Sequence, residues 1–197
     1  MNFIRKYKYY FSLHAVIFIW GFTGILGRII TISSTSIVWL RMLIALVGLI
    51  AFMVITKRGF YTGNLNKLKY LGTGVITAAH WIFFFEALKI SNVSITLTTL
   101  ASTSLFVAFL EPFFFKRKII PYEIILGVLT LAGLAIIFQA ESDYSVGILY
   151  ALISAFFAAL FGTLNGVFVK YDRPTLITAY EMLGGVLFIT IYYLFTG

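Results

Sequence analysis

Seven apolar stretches of about 20 residues follow one another along the chain, and only short polar or basic segments separate them. They cover residues 11–30, 36–56, 69–89, 94–115, 120–139, 147–169 and 175–195. A helix needs about 20 mostly apolar residues to cross the hydrocarbon core of a bilayer, because each residue adds about 1.5 Å. Strands of membrane barrels are about 10 residues long and alternate in polarity, which these stretches do not. The pattern predicts an all-α, polytopic membrane helical bundle of about seven transmembrane helices.

The composition agrees with lipid as the outer solvent. Hydrophobic residues make up 61% of the chain and charged residues 11%, whereas soluble domains hold about 45–50% apolar and about 25% charged residues. So few polar residues cannot cover the surface of a water-soluble fold. The first stretch follows Arg5, Lys6 and Lys8, as in a signal peptide, but no clean small-residue cleavage site comes after it. We therefore interpret it as a retained first helix.

The distribution of Lys and Arg predicts the orientation of the chain. Three of the 15 Lys and Arg residues precede the first span, and the second, fourth and sixth connections carry four, three and two. The others, Arg28, Arg41 and Lys89, lie within spans or at their ends. The positive-inside rule therefore predicts a cytoplasmic N-terminus in the cell inner (plasma) membrane, with Glu141 and Asp143 outside. Because the charges alternate with apolar spans and form no basic face, the net charge of +8 does not indicate a nucleic-acid partner.

Two segments that lie 140 residues apart indicate an internal repeat. Residues 35–43 and 175–183 share Thr, Ile, Met and Leu in register, with a charged residue at the same place. Five spans separate corresponding positions, and because five is odd the second unit must be inverted in the membrane. Inverted repeats are typical of secondary transporters, whose substrate site lies near the bilayer midplane. The sequence predicts a first five-helix repeat over 1–140 and the first two helices of an inverted second repeat over 141–197.

A series of short motifs runs through most of the chain. They are Trp20-Gly21 in the first span, Arg41 in the second, His80-Trp81 and Phe85-Glu86-Ala87-Leu88-Lys89 in the third, Ser91 and Ser94 before the fourth, and Gly127 to Gly133 in the fifth. In this order and spacing they resemble the EamA-type permeases of the drug/metabolite transporter superfamily. The resemblance implies transport of small organic molecules such as amino acids and other metabolites.

The chain departs from that family's pattern in three respects. Ser102-Thr103-Ser104 stands where the family often has proline, and Lys118 stands where it often has glutamate. The family usually has ten helices in two five-helix repeats, whereas this sequence stops after the seventh span, at Gly197. The resemblance therefore implies a C-terminally truncated chain. Of the two explanations, a fragment and a truncated relative, we favour the fragment.

Ionisable side chains inside the spans are costly in lipid, which makes each of them a candidate functional residue. Arg41 and Glu86 lie at similar depth near the outer ends of oppositely running spans, and we predict that they pair and gate or line an outward cavity. The alternative for Arg41 is snorkelling to the headgroups. Glu111 and Glu181 lie in the inner third, where a carboxylic acid suits proton coupling. The alternative for both is pairing with the nearby basic cluster of residues 116–118 or with Lys170.

Further candidates lie deep in the first, third and sixth spans. His80 suits a polar substrate or a proton relay, and the alternative is a packed histidine bonded to a neighbouring helix. An indole at this depth suits stacking on a substrate, or it fills the core or faces lipid. The predicted substrate-binding residues are Trp20, Arg41, His80, Trp81 and Asn165, and the predicted coupling or gating residues are Glu86, Glu111 and Glu181.

These features together predict a secondary transporter, or permease, that exports small organic metabolites by alternating access. The sequence contains no Walker A loop, no His-Glu-x-x-His motif, no aspartate pair and no cysteine, so we predict no catalytic residue, metal site or cofactor. The alternative is a seven-helix receptor or sensor, which the cytoplasmic N-terminus disfavours. The expected partners are a small-molecule substrate and the lipid bilayer, with a homodimer left open.

Overall fold

The computed structural model describes residues 3–140 and 142–196, and within these ranges every regular element is a helix. The α-helices are α1 (Phe3–Ile29), α2 (Ser34–Ile55), α3 (Asn64–Ile90), α4 (Val93–Leu100), α5 (Thr103–Phe115), α6 (Pro121–Ala140), α7 (Ser145–Phe168) and α8 (Pro174–Thr196). Because α4 and α5 together form one span, 7 helical segments are long and apolar enough to cross a membrane. The predicted all-α bundle of seven spans is confirmed. Glu141, predicted to lie outside the cell, is not among the described residues.

Two helices begin earlier than the hydropathy pattern predicts. Helix α1 begins at Phe3 instead of near residue 11, and α3 begins at Asn64 instead of residue 69. The added turns contain Lys, Arg, Asn and Tyr, which are compatible with a helix but not with the hydrocarbon core. Hydropathy therefore marks the part of a helix that lies in lipid and does not mark its ends.

The fourth span is interrupted at Ala101 and Ser102, between α4 and α5. Backbone hydrogen bonds here run three residues back instead of four, at 3.2 Å from the nitrogen of Ala101 and 3.0 Å from that of Ser102. The hydroxyls of Ser102, Thr103 and Ser104 also donate to carbonyls three residues back, at 2.7, 2.7 and 3.0 Å. Such hydroxyls compete with the regular helical bonds. The span therefore tightens for one turn at this run of hydroxyl residues.

Helix α3 lies at the centre of the bundle, where it packs against α2, α7 and α8. Two glycines allow its close approach to α8. A Cβ atom at Gly74 would overlap the backbone carbonyl oxygen of Glu181, and a Cβ atom at Gly184 would overlap that of Leu71. Backbone meets backbone at this crossing, as small residues permit in membrane bundles. The crossing fixes the position of Glu181 relative to α3.

Helices α2 and α8 run antiparallel along their length. Contacts join Ser36 to Tyr193, Trp39 to Thr190, Met42 to Gly185 and Met53 to Leu176. Residue numbers rise along α2 as they fall along α8, which defines the relative direction of the two helices. The first two contacts are side-chain hydrogen bonds of 2.8 and 2.9 Å, and the other two are close apolar contacts. The two helices that carry the similar segments therefore face each other in the fold.

Helix α1 is among the least covered spans. The side chains of residues 8–22 are exposed, and Trp20 is 70% exposed. Within the described chain, α1 approaches its neighbours α3 and α4 towards its C-terminal end, where Gly24 lies near Leu97 and Gly27 lies against Phe85. An apolar helix loses nothing by facing lipid, because lipid tails are as apolar as its own side chains. Residues 8–22 of α1 therefore present an exposed, mainly apolar surface.

Candidate functional site

Arg41 projects from α2 onto two aromatic rings of α3. Its guanidinium carbon lies 4.7 Å from the centre of the Trp81 ring and 5.1 Å from that of the Phe85 ring. These two aromatic residues are four positions apart, so they lie on the same face of α3. A guanidinium stacked on aromatic faces keeps the N–H groups at its edge free to donate hydrogen bonds. The rings therefore hold Arg41 in place without neutralising its charge.

Arg41 also lines a cavity of about 300 Å³ formed by α1, α2 and α3. The other residues that line it are Thr23, Leu26, Gly27, Ile30, Ile32, Ile37, Leu40, Ile44 and Phe85. Among these described residues Arg41 alone is charged, and the remainder are apolar except for Thr23. A volume of this order is at the lower end of the range for small-molecule sites. The arrangement suits a small, mainly apolar molecule that carries one acidic group.

Glu86 does not pair with Arg41 in the described chain. The ion pairs there join Arg117 to Glu111 and to Glu123. Matching depth predicted the Arg41–Glu86 pair, but successive residues on a helix point about 100° apart. Because Phe85 faces Arg41, the adjacent Glu86 points to another side of α3, where it is half-buried. A gating role for Glu86 stays a prediction.

His80 is bonded to α7 in the core of the bundle. Its Nδ1 lies 2.9 Å from both the hydroxyl and the carbonyl oxygen of Ser154, and the Ser154 hydroxyl donates to the His80 carbonyl at 3.0 Å. His80 is 8% exposed and Ser154 is fully buried. The imidazole also packs between the rings of Phe84 and Phe161. This geometry supports the alternative of a packed histidine, and His80 does not line the cavity beside Arg41.

Two substitutions at His80 separate packing from substrate binding. We expect His80→Asn to fold and transport like the wild type, because its amide nitrogen can replace Nδ1 as a donor to Ser154. We expect His80→Leu to destabilise the protein by about 1–3 kcal/mol, because the buried Ser154 carbonyl loses a donor. Thermal unfolding in nanodiscs, followed by tryptophan fluorescence, measures the difference. A His80→Asn variant that folds normally but has lost transport would contradict the packing role.

Glu181 and Asn165 meet where α3, α7 and α8 come together. The Asn165 amide nitrogen lies 3.4 Å from Glu181 Oε2, and Glu181 is 3% exposed. The second carboxylate oxygen of Glu181 and the amide oxygen of Asn165 are buried and have no hydrogen-bond partner in the described chain. Neither residue lines the cavity beside Arg41. The structure therefore brings a predicted coupling residue and a predicted substrate-binding residue into one pair.

Glu111 takes part in a network of two ion pairs at the end of α5. Arg117 Nη2 lies 2.9 Å from a carboxylate oxygen of Glu111 and 2.9 Å from one of Glu123. Two hydrogen bonds raise the pKa of Arg117, and the one to Glu123 has a larger effect than the one to Glu111. This pairing with the basic cluster is the alternative considered for Glu111, and a coupling role stays a prediction. In residues 3–140 and 142–196 no group of three or more His, Asp or Glu side chains could hold a metal ion.

The five predicted substrate-binding residues do not line one cavity in the described chain. Arg41 and Trp81 lie together, Asn165 lies with Glu181, and His80 lies between α3 and α7. Trp20 lies on the uncovered face of α1, away from the cavity lining. The sequence pattern gives the depth of a residue in its span, but an apolar helix carries no sign of which side faces inward.

Asp172, which the sequence pattern does not single out, is the acceptor of a polar cluster at the α7–α8 connection. Its Oδ2 accepts hydrogen bonds from Thr62 at 2.6 Å, Tyr70 at 2.7 Å and Asn66 at 3.4 Å. These hydrogen bonds hold the pKa of Asp172 below its ordinary value of 3.8. The bond from Thr62 has the largest effect, and those from Tyr70 and Asn66 have smaller ones. These four residues, the Asp172 cluster, tie the start of α3 to the start of α8. A long-range cluster of this kind leaves no periodic signal in the sequence.

Comparison with known proteins assigns a family to the first two-thirds of the chain. A family model described as the EamA-like transporter family matches residues 8–139. This match extends from within α1 to the last turn of α6, and it includes the cavity beside Arg41 as well as Trp81. No curated protein and no solved structure shows significant similarity to the chain.

Proposed function

Because the chain belongs to the EamA-like transporter family, we propose that it is a secondary carrier that exports small organic metabolites such as amino acids. Membership of the family makes it a membrane transporter of the drug/metabolite type, and its 7 spans make it a multi-pass membrane protein. Secondary carriers expose a site near the bilayer midplane to one side and then to the other. The nature of the substrate is the part of the proposal that rests on the site.

The Arg41 cavity carries the proposal. A guanidinium offers five N–H donors in one plane and binds a carboxylate through two of them at once. Charged side chains within spans almost always have a partner, yet no carboxylate lies within ion-pair distance of Arg41 in the described chain. The apolar walls suit the hydrocarbon part of a small metabolite. We assign the substrate carboxylate to Arg41, with Trp81 and Phe85 holding the guanidinium.

The limits of the helices support the inverted repeat on which alternating access depends. Residues 34–55 of α2, moved by 140 positions, become 174–195, and α8 is Pro174–Thr196. Residues 3–29 of α1 become 143–169, and α7 is Ser145–Phe168. In this proposal residues 1–140 form one repeat and residues 141–197 begin the second, with α2 against α8 at the seam. The N-terminus is cytoplasmic and the protein lies in the inner (plasma) membrane, as its Lys and Arg distribution favours.

Efflux from proteoliposomes tests the proposal. We expect the purified chain to release labelled amino acids under a pH or voltage gradient. We expect Arg41→Ala to reduce this flux by at least about tenfold, because a charge-assisted hydrogen bond contributes about 1.5–3 kcal/mol. Arg41→Lys keeps the charge without the two-pronged geometry and should be intermediate. The matched control is Arg58→Ala, which removes an arginine that stacks on Phe52 outside the cavity.

Two results would count against a carrier of this kind. Equal flux in the Arg41→Ala and Arg58→Ala variants would show that Arg41 does not bind a substrate carboxylate. Binding of an amino acid without any flux in the wild type would favour a sensor over a carrier.

A further inference from the structure

We infer that Glu181 and Asn165 form a binding subsite for a primary ammonium group, so that the substrate class narrows to molecules that carry an amine. The inference rests on the proposed carrier function for its role, but it stands on the geometry of α7 and α8. It concerns atoms that the Arg41 cavity does not include.

The first observation is that two buried acceptor oxygens lack hydrogen-bond partners. Glu181 is 97% buried, since only 3% of its surface is exposed. One of its oxygens receives a long hydrogen bond of 3.4 Å from Asn165, and the other receives none. The amide oxygen of Asn165 is also buried without a donor. Buried polar atoms are nearly always paired in native proteins, so two orphaned acceptors on neighbouring side chains indicate a place for an external donor.

The second observation is the chemistry of the two orphaned atoms. Both are acceptor oxygens, so the ligand must donate hydrogen bonds, and the carboxylate favours a positive charge. No Lys, Arg or His of the described chain lies within ion-pair distance of Glu181. A primary ammonium group has three N–H donors and can reach both oxygens. Calcium and magnesium require about six or more oxygen ligands, which these two side chains do not supply.

The third observation is the fixed position of the carboxylate. The backbone of Glu181 lies against Gly74 with no room for a Cβ atom between them. An apolar cluster of Tyr70, Phe168 and Ile177 packs nearby between the same three helices. A dry and rigid setting strengthens the attraction between a carboxylate and an ammonium group. The subsite is enclosed, and in the proposed carrier a ligand reaches it when the second repeat moves against the first.

Binding of simple amines to the purified full chain in nanodiscs tests the inference. Propylammonium chloride carries three N–H donors, whereas tetramethylammonium chloride at the same ionic strength carries none. We expect propylammonium to raise the unfolding temperature by about 2 °C or more in a saturable manner, and tetramethylammonium to leave it unchanged. Glu181→Gln should abolish the shift, and so should Asn165→Ala. Glu123→Gln, a matched change in a carboxylate of the Arg117 ion pair, should retain it.

Several outcomes would overturn the inference. They are an equal response to the two salts, a shift that persists in Glu181→Gln, and no shift in the wild type at any concentration. The last result would assign the Glu181–Asn165 pair to packing between α7 and α8. Glutamine has nearly the same volume as glutamate, so Glu181→Gln should fold. It therefore tests the inference even if Asn165→Ala does not fold.

Flux measurements separate the subsite from the carrier proposal. A saturable shift of the unfolding temperature by the amine, without flux, would support the subsite and contradict the carrier proposal. If flux is the same for an amino acid and for the same acid without its amine, in both the wild type and Glu181→Gln, the carrier proposal stands and the subsite is contradicted.

Discussion

Replacement of Gly74 by valine is expected to prevent the bundle from folding. A side chain at this position would overlap the carbonyl oxygen of Glu181 and lie 2.8 Å from its carbonyl carbon and 2.9 Å from its Cα. All three atoms belong to the backbone of α8, so no rotation of a side chain can relieve the overlap. Overpacking of a core by a few atoms costs about 1–3 kcal/mol, and a backbone clash costs more. Size-exclusion chromatography and thermal unfolding of the purified protein measure the loss.

Gly72, two residues earlier on α3, provides the matched control. A Cβ atom there meets nothing within 4 Å, so Gly72→Ala should be neutral or should stabilise the helix by up to about 1 kcal/mol. Gly184→Ala probes the same crossing from α8, where the new Cβ would overlap the carbonyl of Leu71. It should resemble Gly74→Val. Equal stability of the Gly72→Ala and Gly74→Val proteins would show that α3 and α8 do not approach so closely.

Replacement of Asp172 by alanine is expected to loosen the connection between α3 and α8. Tyr70 is fully buried and donates its hydroxyl to Asp172 at 2.7 Å. Removal of the acceptor leaves that hydroxyl unpaired, together with the hydroxyl of Thr62, at a cost of about 1–3 kcal/mol for a buried donor. We expect the unfolding temperature at pH 7 to fall by several degrees. Asp172→Asn retains one acceptor oxygen and should lose less.

The stabilisation by Asp172 is also expected to depend on pH. The folded pKa of Asp172 lies below its ordinary value of 3.8, so folding favours the charged form. The contribution is fully present above this ordinary value and disappears as the pH falls through the lower folded pKa. The difference in unfolding temperature between the wild type and Asp172→Ala should therefore be constant from about pH 5 to 8 and shrink below about pH 4. A difference that widens in acid would contradict this assignment.

The seven spans could be predicted because membrane insertion depends on a property averaged over about 20 residues. Finer features depend on atoms that averaging removes. The break between α4 and α5 arises where Ser102 and its neighbours bond back to the backbone. The early start of α3 lies in a polar turn that hydropathy excludes.

The candidate site shows the same division between depth and rotation. Arg41 could be singled out because a cation in a span is costly wherever it points. Which side chains face Arg41 could not be predicted, since the adjacent Phe85 and Glu86 lie at nearly the same depth and differ by rotation about α3. The pairing of Asn165 with Glu181 joins two helices whose apolar surfaces carry no distinguishing pattern. The Asp172 cluster joins residues about 100 positions apart, and no local pattern predicts it.

The uncovered α1 makes the Arg41 cavity sensitive to the thickness of the bilayer. The membrane-spanning part of α1, Tyr7–Ile29, has 23 residues and is about 35 Å long, whereas the hydrocarbon core is about 30 Å thick. A hydrophobic stretch longer than the core tilts to match it. Since α1 is held mainly near Gly24 and Gly27, it can tilt about that end while α2 and α3 remain packed. Part of α1 forms one wall of the cavity. The length of the lipid chains should therefore determine the distance between this wall and Arg41.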